Sequence, residues 1–399
     1  MTGRGGTIAG VEAGVAAGDA VSLARAMVRI PSVNPLLEPG GAGEREVAES
    51  AARWLARWGF EASTEEVAPG RFNVLARHPR DRSGASGPVL LLNGHLDTVG
   101  VENMSVPPFE GLVREDRLVG RGACDMKGGV AALLSAAAGL SRTGHGGEIV
   151  VALTADEEHA SLGMQALVAS GLRADAAVVC EPTSLAVMPA HKGFLWLRAI
   201  FRGRAAHGSR PDLGVDAIRH AALYLSGLEE LAARLATGAP HPLLGHASFH
   251  VGTITGGSAP SVYPDRCEVV LERRTLPGEE MDEAERAFAE ALGALASREG
   301  SMDAVLERTL ARPGTEVASD APLVRGLLAA AAAEGVEPRV KGMTAWVDAA
   351  YLNEAGIPAV CFGPGSIAQA HSADEWAPVI EIERCGRVLE RFARAFLGG

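Results

Sequence analysis

Five short apolar runs constrain this chain more than any other feature. In order they are "FNVLAR" from residue 72, "VLLLN" from 89, "EIVVALT" from 148, "AAVVC" from 176 and "PAVCF" from 358. Each is bounded by turn residues and is short for a helix. Runs without polar alternation suit strands buried on both faces of a largely parallel sheet. Stretches with helical spacing lie between them, including "GGVAALLSAAAGL" and "SLGMQALVAS". Alternation of strand and helix predicts an α/β sandwich. Upstream, residues 18–58 read as helical. In "EREVAESAARWLARWGF" the apolar positions Val47, Ala51, Trp54, Leu55 and Trp58 keep a helical period, and Gly59 is a natural stop.

The pattern changes near residue 192. "FLWLRAIFRGRAAH" alternates like a half-exposed strand, and a long helix is expected over 213–236. Two strands follow, "ASFHVGTI" and "CEVVLER", then an amphipathic helix over about 280–298 and a last strand in "DAVLERTLA". The order β-α-β-β-α-β is ferredoxin-like. The α/β pattern resumes with "APLVRGLLAAAAAEG". A small domain, 192–310, is therefore expected inside a larger one formed by 1–191 and 311–399.

The chain has 399 residues and a formal net charge of −12. That balance argues against a nucleic-acid partner, which would want a basic face. The five cysteines, at 124, 180, 267, 361 and 385, are scattered without a C-x-x-C. They read as small buried hydrophobes rather than a disulfide framework or thiolate zinc knuckle. The first twenty residues lack the apolar core of a signal peptide, and no run approaches the roughly 18 apolar residues of a membrane span. A loose start and a cytoplasmic protein with no membrane partner are the expectations.

The residues that follow the strands carry the chemistry. After "VLLLNG" come His95 and Asp97. After "EIVVALTA" come Asp156, Glu157 and Glu158. Glu181 follows "AAVVC", and His371 follows "PAVCFGPGSIAQA". Asp125 lies in "GRGACDMKGG", between the first two. In an open α/β sheet the carboxyl ends of the strands form the ligand-binding edge. Alone, His-x-Asp is usually a loop, and "DEE" is usually a solvated helix start. Together they make a donor set for two zinc ions, with cobalt as a close substitute. Two histidines, one central aspartate bridging the cations and two outer glutamates complete the ligand count. One glutamate is left over as a base.

The chain also resembles the dinuclear-zinc amidohydrolases that include acetylornithine deacetylase, succinyl-diaminopimelate desuccinylase, aminoacylase and glutamate carboxypeptidase. The matching stretches run in family order over roughly 20–395. They are "GHLDTV", "GRGACDMKGG", "TADEEHASLG", "CEPT", "GRAAHGSRPDLGVDAI", "YPDRCEVVLERRTLPGE" and "FGPGSIAQAHSADEW". The resemblance implies a zinc-peptidase-like α/β/α sandwich with an inserted lid domain that also forms a homodimer.

It also implies roles. His95 and Glu181 hold one metal, Glu158 and His371 the other, and Asp125 bridges them. Glu157 is the general base, and Asp97 sits behind His95 and fixes its orientation. A cis peptide is implied at Asp125–Met126. His207 would stabilise the oxyanion, from the same subunit or the partner, and Arg274 would grip a substrate carboxylate. Arg273, its alternating neighbour on the strand, should face away from it, with solvent as the ordinary reading. Ser261 and Gly365 are the remaining substrate-side candidates.

Three departures bear on the substrate. Ser261 stands where many relatives carry Asn. Ile367 stands where desuccinylases place an Asn. "GPGSIAQAH" followed by "DEW" looks like the deacetylases, whereas "GMTAWVDAAYL" does not. The reading is hydrolysis of an amide in an N-acyl amino acid, acetylornithine deacetylase-like. Desuccinylase, aminoacylase, carboxypeptidase and dipeptidase activities, the last two on short peptides, are the alternatives. The rival of another class is a non-catalytic metal-binding relative. Dehydrogenase and serine-hydrolase readings want G-x-G-x-x-G after the opening strand or G-x-S-x-G, and neither is present in context.

Overall fold

The computed structural model describes residues 8–78 and 87–398. The chain forms two compact units. One comprises Met1–Pro189, Val317–Lys341 and Val347–Gly399, and the other Ala190–Glu316 and Gly342–Trp346. The expected loose start falls on 1–7, which lie outside the described residues. From Ile8 to Ala17 the chain is helical. The helical reading of 18–58 resolves into two helices, Ala20–Val28 and Arg45–Arg57, with non-helical chain between them.

The first unit is organised by an eight-stranded sheet. Its order is Glu61–Ala68, Arg71–His78, Glu148–Thr154, Val89–His95, Ala176–Val179, Ala359–Cys361, Val187–His191 and Val340–Met343. All five apolar runs are strands in it. The sheet is mixed rather than largely parallel. Val89–His95 runs parallel to both neighbours, as does Ala359–Cys361 to Ala176–Val179, but Arg71–His78 pairs antiparallel with Glu148–Thr154.

Side chains alternate across a strand. Leu90 and Leu92 join one large core with Val47, Ala51 and Leu55 of helix Arg45–Arg57 and with Val130 and Leu133 of helix Lys127–Leu140. Leu91 points the other way and is still fully buried. On that opposite face Asn73 donates to the carbonyl of Gly163, in helix Leu162–Ala169. Burial on both faces explains why "VLLL" carries no polar alternation. The α/β architecture with a large central sheet that the resemblance implies is thus present in the structure.

The second unit has a four-stranded antiparallel sheet in the order Ser248–Gly256, Arg266–Thr275, Gly193–Arg202 and Asp303–Arg312. Helices Ala217–Gly227, Glu229–Thr237 and Met281–Arg298 accompany it. The expected single helix over 213–236 is two helices meeting at Leu228. Leu195, Leu197 and Phe201 pack with Tyr224 and Phe288 in a separate core. All five cysteines are buried and free. Among the described residues no helix is long and apolar enough to cross a membrane.

Candidate metal centre

Strand register builds the site. His95 ends its strand directly opposite Thr154, and Asn93 lies opposite Val179. The three parallel strands therefore stop almost flush, and the residues just beyond them converge. Glu157 and Glu158 follow Thr154, and Glu181 follows Val179. Phe362 continues the fourth strand by bonding to the carbonyl of Val179 at 3.0 Å. The loop after it carries His371.

Asp125 enters from a different element, two residues before helix Lys127–Leu140. The Asp125–Met126 peptide is cis. Buried Glu375 fixes this turn, accepting from the backbone N–H groups of Cys124 at 2.9 Å and Asp125 at 3.1 Å and from Arg121 at 2.6 Å. Close packing brings the helix to the strand ends. A Cβ on Gly129 would lie 2.0 Å from the carbonyl oxygen of Cys180.

Two donor groups result. Ligand atoms of His95, Asp125 and Glu181 lie within 4.8 Å of one another, and so do those of Asp125, Glu158 and His371. Asp125 belongs to both. Its Oδ1 is 3.0 Å from His95 Nε2, and its Oδ2 is 3.4 Å from His371 Nε2. His371 Nε2 is also 3.0 Å from Glu158 Oε2. One carboxylate thus presents a different oxygen to each histidine.

The electrostatics are those of a crowded anionic site. Burial is the main cause that pushes Glu158 up to about 7 and Glu181 up to about 8, with the Asp125 charge adding to it. Burial also raises Glu157 well above the carboxylate range. Asp125 is the exception. Burial opposes its charge, but the hydrogen bonds from His371 and His95 hold it well below its usual value. Glu181 Oε1 is buried with no hydrogen-bond partner among the described residues. A carboxylate in that position is costly unless a cation meets it. Imidazole nitrogen and carboxylate oxygen are the donors that zinc and its neighbours take. The residues therefore fit two divalent cations.

Asp97 meets His95 with its main chain as well as its side chain. His95 Nδ1 lies 3.0 Å from the backbone carbonyl of Asp97, whereas the carboxylate is 3.6 Å away. The carbonyl fixes the ring. The carboxylate instead accepts from the backbone N–H groups of Glu157 at 3.0 Å and Glu158 at 3.2 Å.

A cavity of about 420 Å³ borders His371, lined also by Leu37, Glu38, Val99, Gly100 and Arg121. Both backbone groups of Gly365 are engaged within the protein. Its N–H donates to Glu381, and its carbonyl accepts from Ser184, with φ at +79°.

The remaining candidates lie in the second unit. His207 is exposed, with Nδ1 2.8 Å from the Ser209 hydroxyl. Ser261 lies beside it, accepting at its carbonyl from Gly208 at 2.7 Å. Arg274 pairs with Glu272 at 2.7 Å and lies over the Phe194 ring. Arg273 does not face solvent. It is 4 % exposed and pairs with Glu279, because the alternation of its strand turns it toward the covered face.

The family model described as "Peptidase family M20/M25/M40" matches residues 91–395. This chain belongs to peptidase family M20/M25/M40. As a member of that family it is a metal-dependent amidohydrolase. Similar curated proteins include an acetylornithine deacetylase of Myxococcus xanthus, 35 % identical over 79 % of this chain and 82 % of its own length. An acetylornithine deacetylase of Vibrio cholerae is 30 % identical over 88 % of this chain and 91 % of its own. Among solved structures, the aminopeptidase PepT of Bacillus cereus superposes with a TM-score of 0.78 at 21 % identity, covering 95 % of this chain and 98 % of its own. A dinuclear metal-binding peptidase of Bacillus subtilis gives 0.73 at 16 %, covering 96 % and 99 %. These two share the fold with the M20/M25/M40 chain.

Sequence reasoning passed over several members of the site. Asp348, buried, is held above its ordinary range, mainly by burial, up to about 7. It lies in "GMTAWVDAAYL", the stretch that departs from the deacetylase pattern, and that departure was the only signal. Glu375 was inside a quoted motif. Asn34 and Arg71 carried no signal at all.

Proposed function

We propose that this protein hydrolyses the amide bond of an N-acyl amino acid, with N-acetylornithine as the first substrate to examine. The observation that carries this reading is Asp125, which offers one oxygen to each of two donor groups, with Glu157 beside them. The identities with proteins named acetylornithine deacetylase support the choice of substrate. Ile367, where desuccinylases place an Asn, favours it over succinyl substrates.

In this reading His95 and Glu181 hold one divalent ion, Glu158 and His371 the other, and Asp125 binds both. Zinc is the first candidate, with cobalt as the substitute. Such ions polarise a carbonyl and acidify water when bound. The chain's residues do the rest. Glu157 accepts a proton from the attacking water at its carboxylate as the new C–O bond forms. The protonated carboxyl then gives the proton to the amine nitrogen as the C–N bond breaks. Two further roles fall on the second unit. Arg274, already oriented by Glu272, pairs with the substrate carboxylate, and His207 donates to the carbonyl oxygen, from this chain or from a second copy in a homodimer.

The test is Glu157→Gln. It should retain two equivalents of metal while turnover falls by about 10²–10⁴. A variant that keeps both metal and wild-type turnover removes Glu157 from the mechanism.

A further inference from the structure

Behind the paired glutamates lies a buried ring of polar side chains drawn from distant parts of the chain. Arg71, Asp97 and Asp156 have side chains no more than 4 % exposed. Asn34 and Glu44 are fully buried. The Asn34 amide donates to Asp97 Oδ2 at 2.8 Å and to Asp156 Oδ1 at 2.9 Å. Arg71 Nη1 donates to the same Asp156 oxygen at 2.6 Å and to Asn34 Oδ1 at 3.2 Å. The other edge of the guanidinium pairs with Glu44, Nε reaching Oε2 at 2.9 Å.

The ring converges on one turn. Asp156 holds a left-handed backbone, φ +68°, which is uncommon for a residue with a side chain. Its carbonyl accepts from Ala160 at 3.1 Å, closing the turn. The next two residues are Glu157 and Glu158, whose N–H groups the Asp97 carboxylate accepts. Asn34 therefore ties together the two aspartates that set this turn, and Arg71 faces three carboxylates, Glu44, Asp97 and Asp156.

A buried ion network of this kind seldom stabilises a fold better than apolar packing would. Through Asp97 and Asp156 it bonds to the turn that carries Glu157 and Glu158. Neither Arg71 nor Asn34 contacts a candidate metal donor. We propose that Arg71 and Asn34 are positioning residues that hold the Asp156–Glu158 turn in register, so that Glu158 reaches its metal and Glu157 the reacting water. This rests on the two-ion reading of the site. Lysine does not substitute for Arg71, because only the planar fork addresses Glu44, Asn34 and Asp156 together.

The experiment uses the full chain with Arg71→Lys, which keeps the buried charge. With N-acetyl-L-ornithine, kcat should fall about 10–100-fold while KM stays within about twofold, the scale typical of residues that orient metal ligands. Calorimetric titration of the chelated protein with Zn²⁺ should show one of the two ions bound at least about tenfold more weakly and the other unchanged. A folded variant with wild-type kcat and two unchanged zinc affinities overturns the proposal. So does equal weakening of both ions, which is what general loosening would give. Should Arg71→Lys not fold, Asn34→Ser orphans no charge and is judged by the same two readouts. If the wild-type protein takes up fewer than two zinc ions, it is the two-ion reading that fails. If wild-type binds both and neither variant differs from it, only the positioning role fails.

Discussion

The ring of His95 is anchored by the main chain of Asp97 and not by its carboxylate: Nδ1 lies 3.0 Å from the Asp97 carbonyl. That contact turns Nε2 toward Asp125, whose Oδ1 lies 3.0 Å away. The Asp97 carboxylate is thereby released for another task, the capture of the Glu157 and Glu158 amides.

Asp97→Asn should separate the two tasks. The carbonyl remains, so His95 keeps its orientation. One carboxylate oxygen becomes an amide N–H₂ facing donors, which costs about 1–3 kcal/mol. Turnover should fall about 10–100-fold as the glutamates lose register. Urea unfolding and steady-state kinetics read both. Wild-type kinetics in the variant would show that the carboxylate does not organise the turn.

Gly129→Ala should damage the site from behind. Its Cβ would meet the Cys180 carbonyl oxygen at 2.0 Å, one residue before Glu181. Overpacking of that kind costs about 1–3 kcal/mol. The expected result is a lower urea midpoint together with weaker zinc binding. An alanine variant as stable as wild type would mean that the helix and the strand end separate without cost.

The fold should weaken in mild acid around His191, at the end of strand Val187–His191. Burial pushes His191 down from 6.5 to about 4, a shift that its contact with the Lys192 carbonyl only partly offsets. Between those values the unfolded state binds the extra proton and the folded state does not. Stability therefore falls as pH drops from about 6.5 toward 4, by about 2 kcal/mol at pH 5 for this group. Urea midpoints at pH 7 and pH 5 for wild type and His191→Gln test it. The variant should lose less on acidification, and equal losses would contradict the assignment.

The fold was legible where burial left a pattern. The five apolar runs became strands because they are covered on both faces. Glu61–Ala68 was not legible, because "EASTEEVA" is a mostly exposed edge strand without an apolar face. Val340–Met343 is too short to show one. At the site, His95, Asp125, Glu158, Glu181 and His371 stood out because each lies just past a strand or in a quoted motif, and the structure brings them together in two groups. Arg71 and Asn34 were invisible because their partner Asp156 lies 85 and 122 residues away. Contacts across such separations leave no local spacing to read. Arg273 was misread for a related reason: alternation fixes that it and Arg274 point to opposite faces, but not which face is covered.

The central claim, that this chain cleaves amides with two metal ions, is tested most directly by one titration. Protein stripped with a chelator is supplied with Zn²⁺ in steps, and release of ornithine from N-acetyl-L-ornithine is followed at each step. The account predicts no turnover in the stripped protein and a rate that saturates at two equivalents of zinc. Turnover that persists undiminished in the chelated protein would contradict it.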